Sequence, residues 1–344
     1  MAVAAVIVPE RALAVTELDR PACGPGEVRI DVAYCGVCGS DLHLFFDSPE
    51  PLAGHVLGHE FSGVVSEVSP DVRSWTPGDR VVVRPIDECG DCTACRTEDA
   101  VCLTGVVRGP GLGRQGGLAE SVTVPARMLH RIPDGSSLRD AALTEPLAVA
   151  VRGVVRAQVV PGDGVVVMGA GPIGLLTVEV LRARDITDVL VVEPNDARRA
   201  LAAEMGVRVA APAAARAEVA ALFADGPRAV VDCSGNPGCA QDAVDMLGYG
   251  GRLVIVGMAG APSELRLMSV AVFELTIIGS TAYSERDFAE ALTHIAEGRV
   301  RTDLLITSVV GLDQADAKLR ELVAGTGRDI KVLVRPDHPR RENP

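Results

Sequence analysis

The hydrophobic pattern of this chain changes character near residue 150. Before that point, GEVRIDVAYCG (26–36), EFSGVVSEVS (60–69) and DRVVVRP (79–85) read as strands separated by Pro-, Gly- and Asp-rich turns. Beyond about 151, VVVMG (165–169), VLVVEP (189–194), RAVVDCSG (228–235), GRLVIVG (251–257) and LTIIGS (275–280) are short and almost wholly apolar. Runs of that kind suit strands of a parallel sheet buried on both faces. Ala-, Leu-, Glu- and Arg-rich stretches at 172–184, 196–205, 214–224 and 237–248 read as the helices between them. Strands alternating with helices predict a doubly wound α/β unit behind a β-rich one. The tail DHPRRENP (337–344) is polar and is expected to fray.

A length of 344 residues fits two domains at about 150 residues each. Hydrophobic residues make up 48% and charged residues 23%, which excludes a disordered chain. The formal net charge is −13, so nucleic acid and anionic membrane surfaces are excluded as partners. Only two of the 33 basic residues are lysines, Lys318 and Lys331; the skew reads as codon composition and suggests no chemistry. No run of about 20 apolar residues escapes Gly, Pro or charge, so no membrane span is expected. The opening MAVAAVIVPERALAV lacks a basic flank and is broken by Pro9, Glu10 and Arg11, so it reads as a first strand and the chain as cytoplasmic.

The run VVVMGAGPIGLL holds Gly169, Gly171 and Gly174 in GxGxxG spacing, with Pro172 and Ile173 inside the turn. A β-run precedes it, a helical run follows, and Glu193 ends the next β-run at about the distance expected of a ribose-binding acid. Glycines let the backbone approach a pyrophosphate at a helix N-terminus. A carboxylate at Glu193 accepts from ribose hydroxyls and repels a 2′-phosphate, which predicts NAD over NADP. Arg198 and Arg199 follow closely and soften that preference, unless they form a solvated helix face.

Nine cysteines are an odd number, six of them between Cys35 and Cys102, and a cytosolic chain of this size does not need disulfides. Cys89, Cys92, Cys95 and Cys102 have the spacing of a closed, structural Zn²⁺ site; a redox CxxC or two disulfides are the alternatives. The second group is dispersed: CGVCGSDLH supplies Cys35, Cys38, Ser40, Asp41 and His43, and LGHEFSG supplies His59 and Glu60. A Cys, a His and a carboxylate make an open zinc site. The spacing alone equally allows a Cys35/Cys38 pair and a His59 satisfied in the core.

Together these motifs resemble the zinc-dependent medium-chain alcohol dehydrogenases, most closely the butanediol, sorbitol (polyol) and threonine dehydrogenase branch. The likeness also takes in GDRVVV, GGLAE (116–120), EPLAVA (145–150), VVDCSGNP and GSTAY with DFAEAL, and so runs along nearly the whole chain. It implies a GroES-like β-barrel catalytic domain over 1–150 with a structural zinc lobe at about 87–104. A Rossmann NAD-binding domain over 151–285 and a return segment over 286–344 would follow.

Position by position, the resemblance makes Cys38, His59 and Glu145 the catalytic zinc ligands, with Glu60 as an alternative ligand. Glu145 precedes Pro146, a good first helical residue, so it also reads as a helix N-terminal carboxylate. Asp41 would orient His59. Ser40 would begin a proton relay ending at His43, and Val256 would flank the nicotinamide. The resemblance implies two Zn²⁺ per chain, NAD, a secondary alcohol/ketone substrate and a homodimer or homotetramer. A threonine-type amino-alcohol dehydrogenase and a non-catalytic nucleotide-binding protein are the alternatives. The Cys95–Cys102 step has six intervening residues where relatives commonly have seven, Ser121 replaces a polar aromatic, and the stretch from Phe45 and Phe46 to His55 departs from small-diol enzymes. These departures bear on substrate and on how the lobe closes.

Overall fold

The structure is a computed structural model and describes residues 1–49, 52–97, 99–325 and 327–336; the tail expected to fray lies outside them. The chain forms two compact units, one comprising Met1–Glu145, Ile295–Glu297 and the chain from Ile306, the other Pro146–His294 and Gly298–Leu305.

The first unit begins with the hairpin of β1 (Ala2–Val8) and β2 (Ala12–Leu18). It continues with β3 (Glu27–Gly36), β4 (Glu60–Val68), β5 (Arg80–Val83), β6 (Ser121–Pro125) and β7 (Leu129–Arg131). In β3, Val28, Ile30 and Val32 are fully buried while the residues between them are half-buried, the period of two that turns one strand face to the core. Each such buried valine or isoleucine contributes ~2 kcal/mol. Phe61, Leu57 and Leu118 fill the same core.

The second unit carries β8 (Val165–Met168), β9 (Val189–Val192), β10 (Arg208–Ala210), β11 (Ala229–Asp232), β12 (Arg252–Ile255) and β13 (Thr276–Gly279). They form one parallel sheet in the order β10-β9-β8-β11-β12-β13, the doubly wound dinucleotide-binding arrangement expected from the sequence. Every residue of β8, β9 and β11 is buried, as sheet positions covered on both faces must be. The helix Pro172–Ala183 is fastened by Glu179, whose side chain is fully buried and accepts from the backbone N–H of Arg301 at 2.8 Å and from Arg182 Nη2 at 2.8 Å. Burial pushes its carboxyl up, but Arg301 and Arg182 more than offset this and hold it below the usual carboxylate range.

The expected return at 286 falls inside the second unit. Arg152 meets Asp287 at 3.3 Å and Arg184 meets Glu290 at 2.6 Å, which bind the helix Glu285–Ala296 to that unit. The return proper supplies β14 (Ile306–Val310) and β15 (Lys331–Val334) to the first unit. Its sheet runs β14-β15-β3-β4-β5-β7, with β6 also on β3. Gly36 of β3 lies opposite Glu60 of β4 on one side and Leu333 of β15 on the other.

Candidate active site

The lobe 87–104 draws four thiols to a point. Sγ atoms stand 3.8 Å apart for Cys89–Cys95, 3.6 Å for Cys92–Cys95, 3.8 Å for Cys92–Cys102 and 3.6 Å for Cys89–Cys102. Four sulfurs at ~2.3 Å from a central ion define a tetrahedron with edges of ~3.8 Å, so the spacing suits Zn²⁺. A disulfide needs about 2.05 Å, and all nine cysteines are free. Cys102 caps the helix Leu103–Arg108, its sulfur accepting from the N–H groups of Gly105 at 3.2 Å and Cys89 at 3.5 Å. Burial raises the Cys102 thiol, but these donors win and lower it to about 7. The six-residue step from Cys95 to Cys102 still brings Cys102 onto the cluster.

The dispersed group also converges. Cys38 caps the helix Gly39–Phe46, and Asp41 in its first turn accepts the Cys38 N–H through Oδ2 at 2.9 Å. Asp41 Oδ1 accepts the N–H of Gly58 at 3.2 Å, so one fully buried carboxylate joins the helix to the LGHE turn. Gly58 has φ +94°, and a Cβ there would strike Cys35 Sγ. His59 Nδ1 lies 3.4 Å from Asp41 Oδ1, and its Nε2 lies 3.3 Å from Ser40 Oγ. Cys38 Sγ, a ring nitrogen of His59 and a carboxylate oxygen of Glu60 all fall within 4.8 Å of one another. Burial pulls His59 down, yet Asp41 and Cys38 reverse this and raise it well above its ordinary value. A field that draws a proton onto a buried imidazole is one that a bound dication satisfies instead. Cys35, beside this group, is fully buried, and burial pushes its thiol well up, so it is inert there.

A cation stands against this donor set. Lys331 opens β15 and is almost wholly buried; its Nζ pairs with Glu60 Oε2 and donates to the Val37 carbonyl at 2.9 Å. Burial pulls the ammonium down, but Glu60, Cys38 and Glu145 raise it above the usual lysine value. Glu145, itself buried, lies in the first turn of the helix Thr144–Ala157, and the three converging donor atoms come from Cys38, His59 and Glu60.

In the second unit, Gly169 takes φ +93°, and a Cβ on Gly174 would overlap the Gly169 carbonyl, so strand and helix close to a distance only glycine permits. Gly171 caps the helix with Pro172 in its first turn, leaving that turn's N–H groups for an anion, and no atom lies within 4 Å of where its Cβ would be. Glu193 is buried at the end of β9, its Oε2 accepting from Ala170 N–H at 2.7 Å and its Oε1 from Asn195 N–H at 2.8 Å. Arg199 is turned inward onto the carbonyls of Glu193 and Pro194 at 2.7 Å each. Val256 follows β12, its N–H bound to the Asp232 carbonyl at 2.9 Å.

Residues 24–134 match the alcohol dehydrogenase GroES-like domain and residues 172–297 match the zinc-binding dehydrogenase domain. The chain is 34% identical over 317 residues to 2-dehydro-3-deoxy-L-galactonate 5-dehydrogenase of Pseudoalteromonas atlantica, covering 90% of this chain and 91% of that one. It belongs to the zinc-binding dehydrogenase family. The crystal structure of 2R,3R-butanediol dehydrogenase from Bacillus subtilis superposes with a TM-score of 0.89 at 32% identity, over 98% of this chain and 100% of that one. A Sinorhizobium meliloti zinc-binding dehydrogenase bound to NADP superposes with a TM-score of 0.88 at 30% identity, again over 98% and 100%.

Within this zinc-binding dehydrogenase, Ser40 and Asp41 sit at the open donor set, and Ser40 and His43 are three residues apart on one helix. His43 is 65% exposed at its side chain and pairs with Asp47 at 2.7 Å. Arg198 is half-buried and is held through its backbone N–H by the cap residue Asn195. Sequence reasoning passed over Lys331. The signal was available, because a lysine opening the apolar run KVLV in a chain with two lysines is chemically out of place. Among the described residues, no helix is long and apolar enough to cross a membrane.

Proposed function

We propose that this dehydrogenase interconverts a secondary alcohol of diol, polyol or cyclitol/amino-sugar type with its ketone, using NAD. The observation that carries the reading is the convergence of Cys38, His59 and Glu60 within 4.8 Å, beside Ser40, in a chain with a dinucleotide-binding turn. Two of the relatives are by name a 2-dehydro-3-deoxy-L-galactonate 5-dehydrogenase and a 2R,3R-butanediol dehydrogenase, which supports this class of substrate. Zinc, when bound, would supply Lewis acidity toward an alcohol oxygen, and NAD would supply the hydride acceptor.

The chain's own residues do the rest. Cys38 and His59 hold the metal, with Glu145 or Glu60 as the third ligand, and the four-cysteine lobe holds a second zinc. Asp41 fixes the orientation of His59. Ser40 holds the proton leaving the substrate at its Oγ, and His43, paired to Asp47 and open to water, passes it to solvent. Gly169, Gly171, Pro172, Ile173 and Gly174 seat the pyrophosphate, Val256 flanks the nicotinamide, and Glu193 favours a free ribose hydroxyl over a 2′-phosphate. The NADP-bound neighbour makes that preference the first point to measure.

Self-association belongs to the same reading. β13 is a sheet edge, and Leu267, Met268, Val272 and Phe273 beside it are exposed, a face suited to a second copy. Nine free thiols suit a reducing cytoplasm.

A panel of secondary alcohols, amino alcohols included, offered with NAD or NADP and followed by reduced-nicotinamide absorbance tests the activity. Metal analysis is expected to give about two zinc per chain. No turnover across the panel, or a single zinc, would overturn the reading.

A further inference from the structure

The first unit holds a cavity built from residues other than those of the open donor set. It measures about 360 Å³, and Ala2, Ala4, Leu18, Val56 and Val122 make its wall mostly apolar. None of Cys38, Ser40, His59 or Glu60 lines it. Cavities of roughly 300–1,000 Å³ with apolar walls and a few polar groups have the size and make of small-molecule sites. An apolar cavity of ~150 Å³ takes up benzene, so this one has room for about two fused rings.

The polar groups of the wall are committed to the protein, with one exception. Gln115 accepts the Val56 N–H at 2.6 Å and donates to the Gly54 carbonyl at 2.9 Å. Arg114 pairs with Glu27 at 3.3 Å, and the Thr123 hydroxyl donates to the Pro21 carbonyl at 3.4 Å. Ser121 shares a face of β6 with Thr123, and the cavity touches both. Ser121 is 7% exposed, and among the described residues its hydroxyl has no hydrogen-bond partner. A buried hydroxyl left unpaired is costly, so the site favours an occupant that supplies the partner. Charge narrows the choice. Asp19 stands exposed in the wall and the Arg114 charge is met by Glu27, so the wall favours a neutral molecule over an anion. We propose that this cavity is a second ligand site, which takes a neutral, largely apolar molecule of about two-ring size through one hydroxyl or carbonyl group on Ser121.

Calorimetric titration of the zinc-loaded protein with 2-naphthol tests the site, with NAD at saturation so that the dinucleotide turn is already filled. Wild type is expected to bind a single 2-naphthol per chain. Ser121→Ala removes only the hydroxyl, so 2-naphthol should bind about 5- to 10-fold more weakly, the scale of one hydrogen bond. Naphthalene, which has no group for Ser121, should bind wild type and Ser121→Ala alike. The anion 2-naphthoate should bind wild type about 10-fold more weakly than 2-naphthol, because its charge would be buried without a partner. Ser121→Phe places a ring in the cavity and should abolish 2-naphthol binding while raising the melting temperature. Ser121→Ala keeps the test decisive if Ser121→Phe does not fold. No binding by wild type, or full binding by a folded Ser121→Phe, overturns the proposal. So do equal 2-naphthol affinities in wild type and Ser121→Ala, and 2-naphthoate binding as tightly as 2-naphthol.

Discussion

Asp41 Oδ1 and His59 Nδ1 face each other at 3.4 Å, both side chains almost entirely buried. The same carboxylate accepts the N–H groups of Cys38 and Gly58, so one residue positions both the thiol and the imidazole of the open site. Carboxylates behind metal-binding histidines fix the ring's tautomer and raise its basicity. Asp41→Asn keeps the shape and removes the charge. It is expected to weaken zinc in the open site by about 10- to 100-fold, read by chelator competition, while the four-cysteine lobe keeps its ion. Equal loss of both ions would contradict the assignment.

The lobe has its own test. The Cys102 sulfur accepts two backbone N–H groups, and Cys102→Ser removes one corner of the tetrahedron. Zinc content should fall from about two to about one per chain, with a lower melting temperature because a closed zinc site contributes folding free energy. Retention of two zinc ions would show that the sulfur cluster is not a metal site.

Glu193 anchors the glycine turn through Ala170 and the following helix through Asn195. Glu193→Gln can replace only one of these acceptors and no longer repels a phosphate. We expect NAD to bind more weakly and the NAD-to-NADP affinity ratio to fall by about 10-fold, corresponding to ~1.4 kcal/mol. Fluorescence titration of both reduced cofactors measures it, and an unchanged ratio would remove Glu193 from discrimination.

Acid stability is predicted from the helix Glu285–Ala296. His294, with Arg184 behind it, overcomes burial and lowers the Glu290 carboxyl from 4.5 to about 2. A carboxyl depressed on folding stabilises the native state above its unfolded value, and that contribution is lost as pH falls from about 4.5 towards 2. Urea melts of wild type and Glu290→Gln should therefore differ at pH 6 and converge progressively below pH 4.5. A difference that is constant with pH would exclude this carboxylate as the cause.

Glu179 makes a sharper claim on stability. It is fully buried, and Glu179→Ala removes the carboxylate that Arg301 and Arg182 share, although each guanidinium keeps a backbone carbonyl and both side chains are more than a third exposed. Loss of about 2 kcal/mol is expected from denaturant unfolding, the scale of hydrogen bonds to a charged acceptor with partly solvated donors. A loss below 1 kcal/mol would show the pair to be effectively solvated.

Much of this was legible along the chain, for a physical reason. Strand and helix periods, the turn Gly169–Gly174 and the cysteine steps from Cys89 to Cys102 depend on residues close in sequence, so their spacing already carries their geometry. The place of Glu193 at the end of β9, against the glycine turn, was legible too, because a βαβ unit sets the distance between the two. The return to the first unit was placed too early, because whether the helix Glu285–Ala296 belongs to one unit or the other depends on Arg152 and Arg184, far upstream. Lys331 looked like an accident of composition. It lies 294 positions from the Val37 carbonyl it binds, and no local pattern connects the two. Strand pairing across Gly36 makes them neighbours and sets a buried cation against Glu60. The donor types of Cys38, His59 and Glu60 could be read from residue identity, whereas the buried cation paired with Glu60 came from a register formed only when the end of the chain returned to its first sheet.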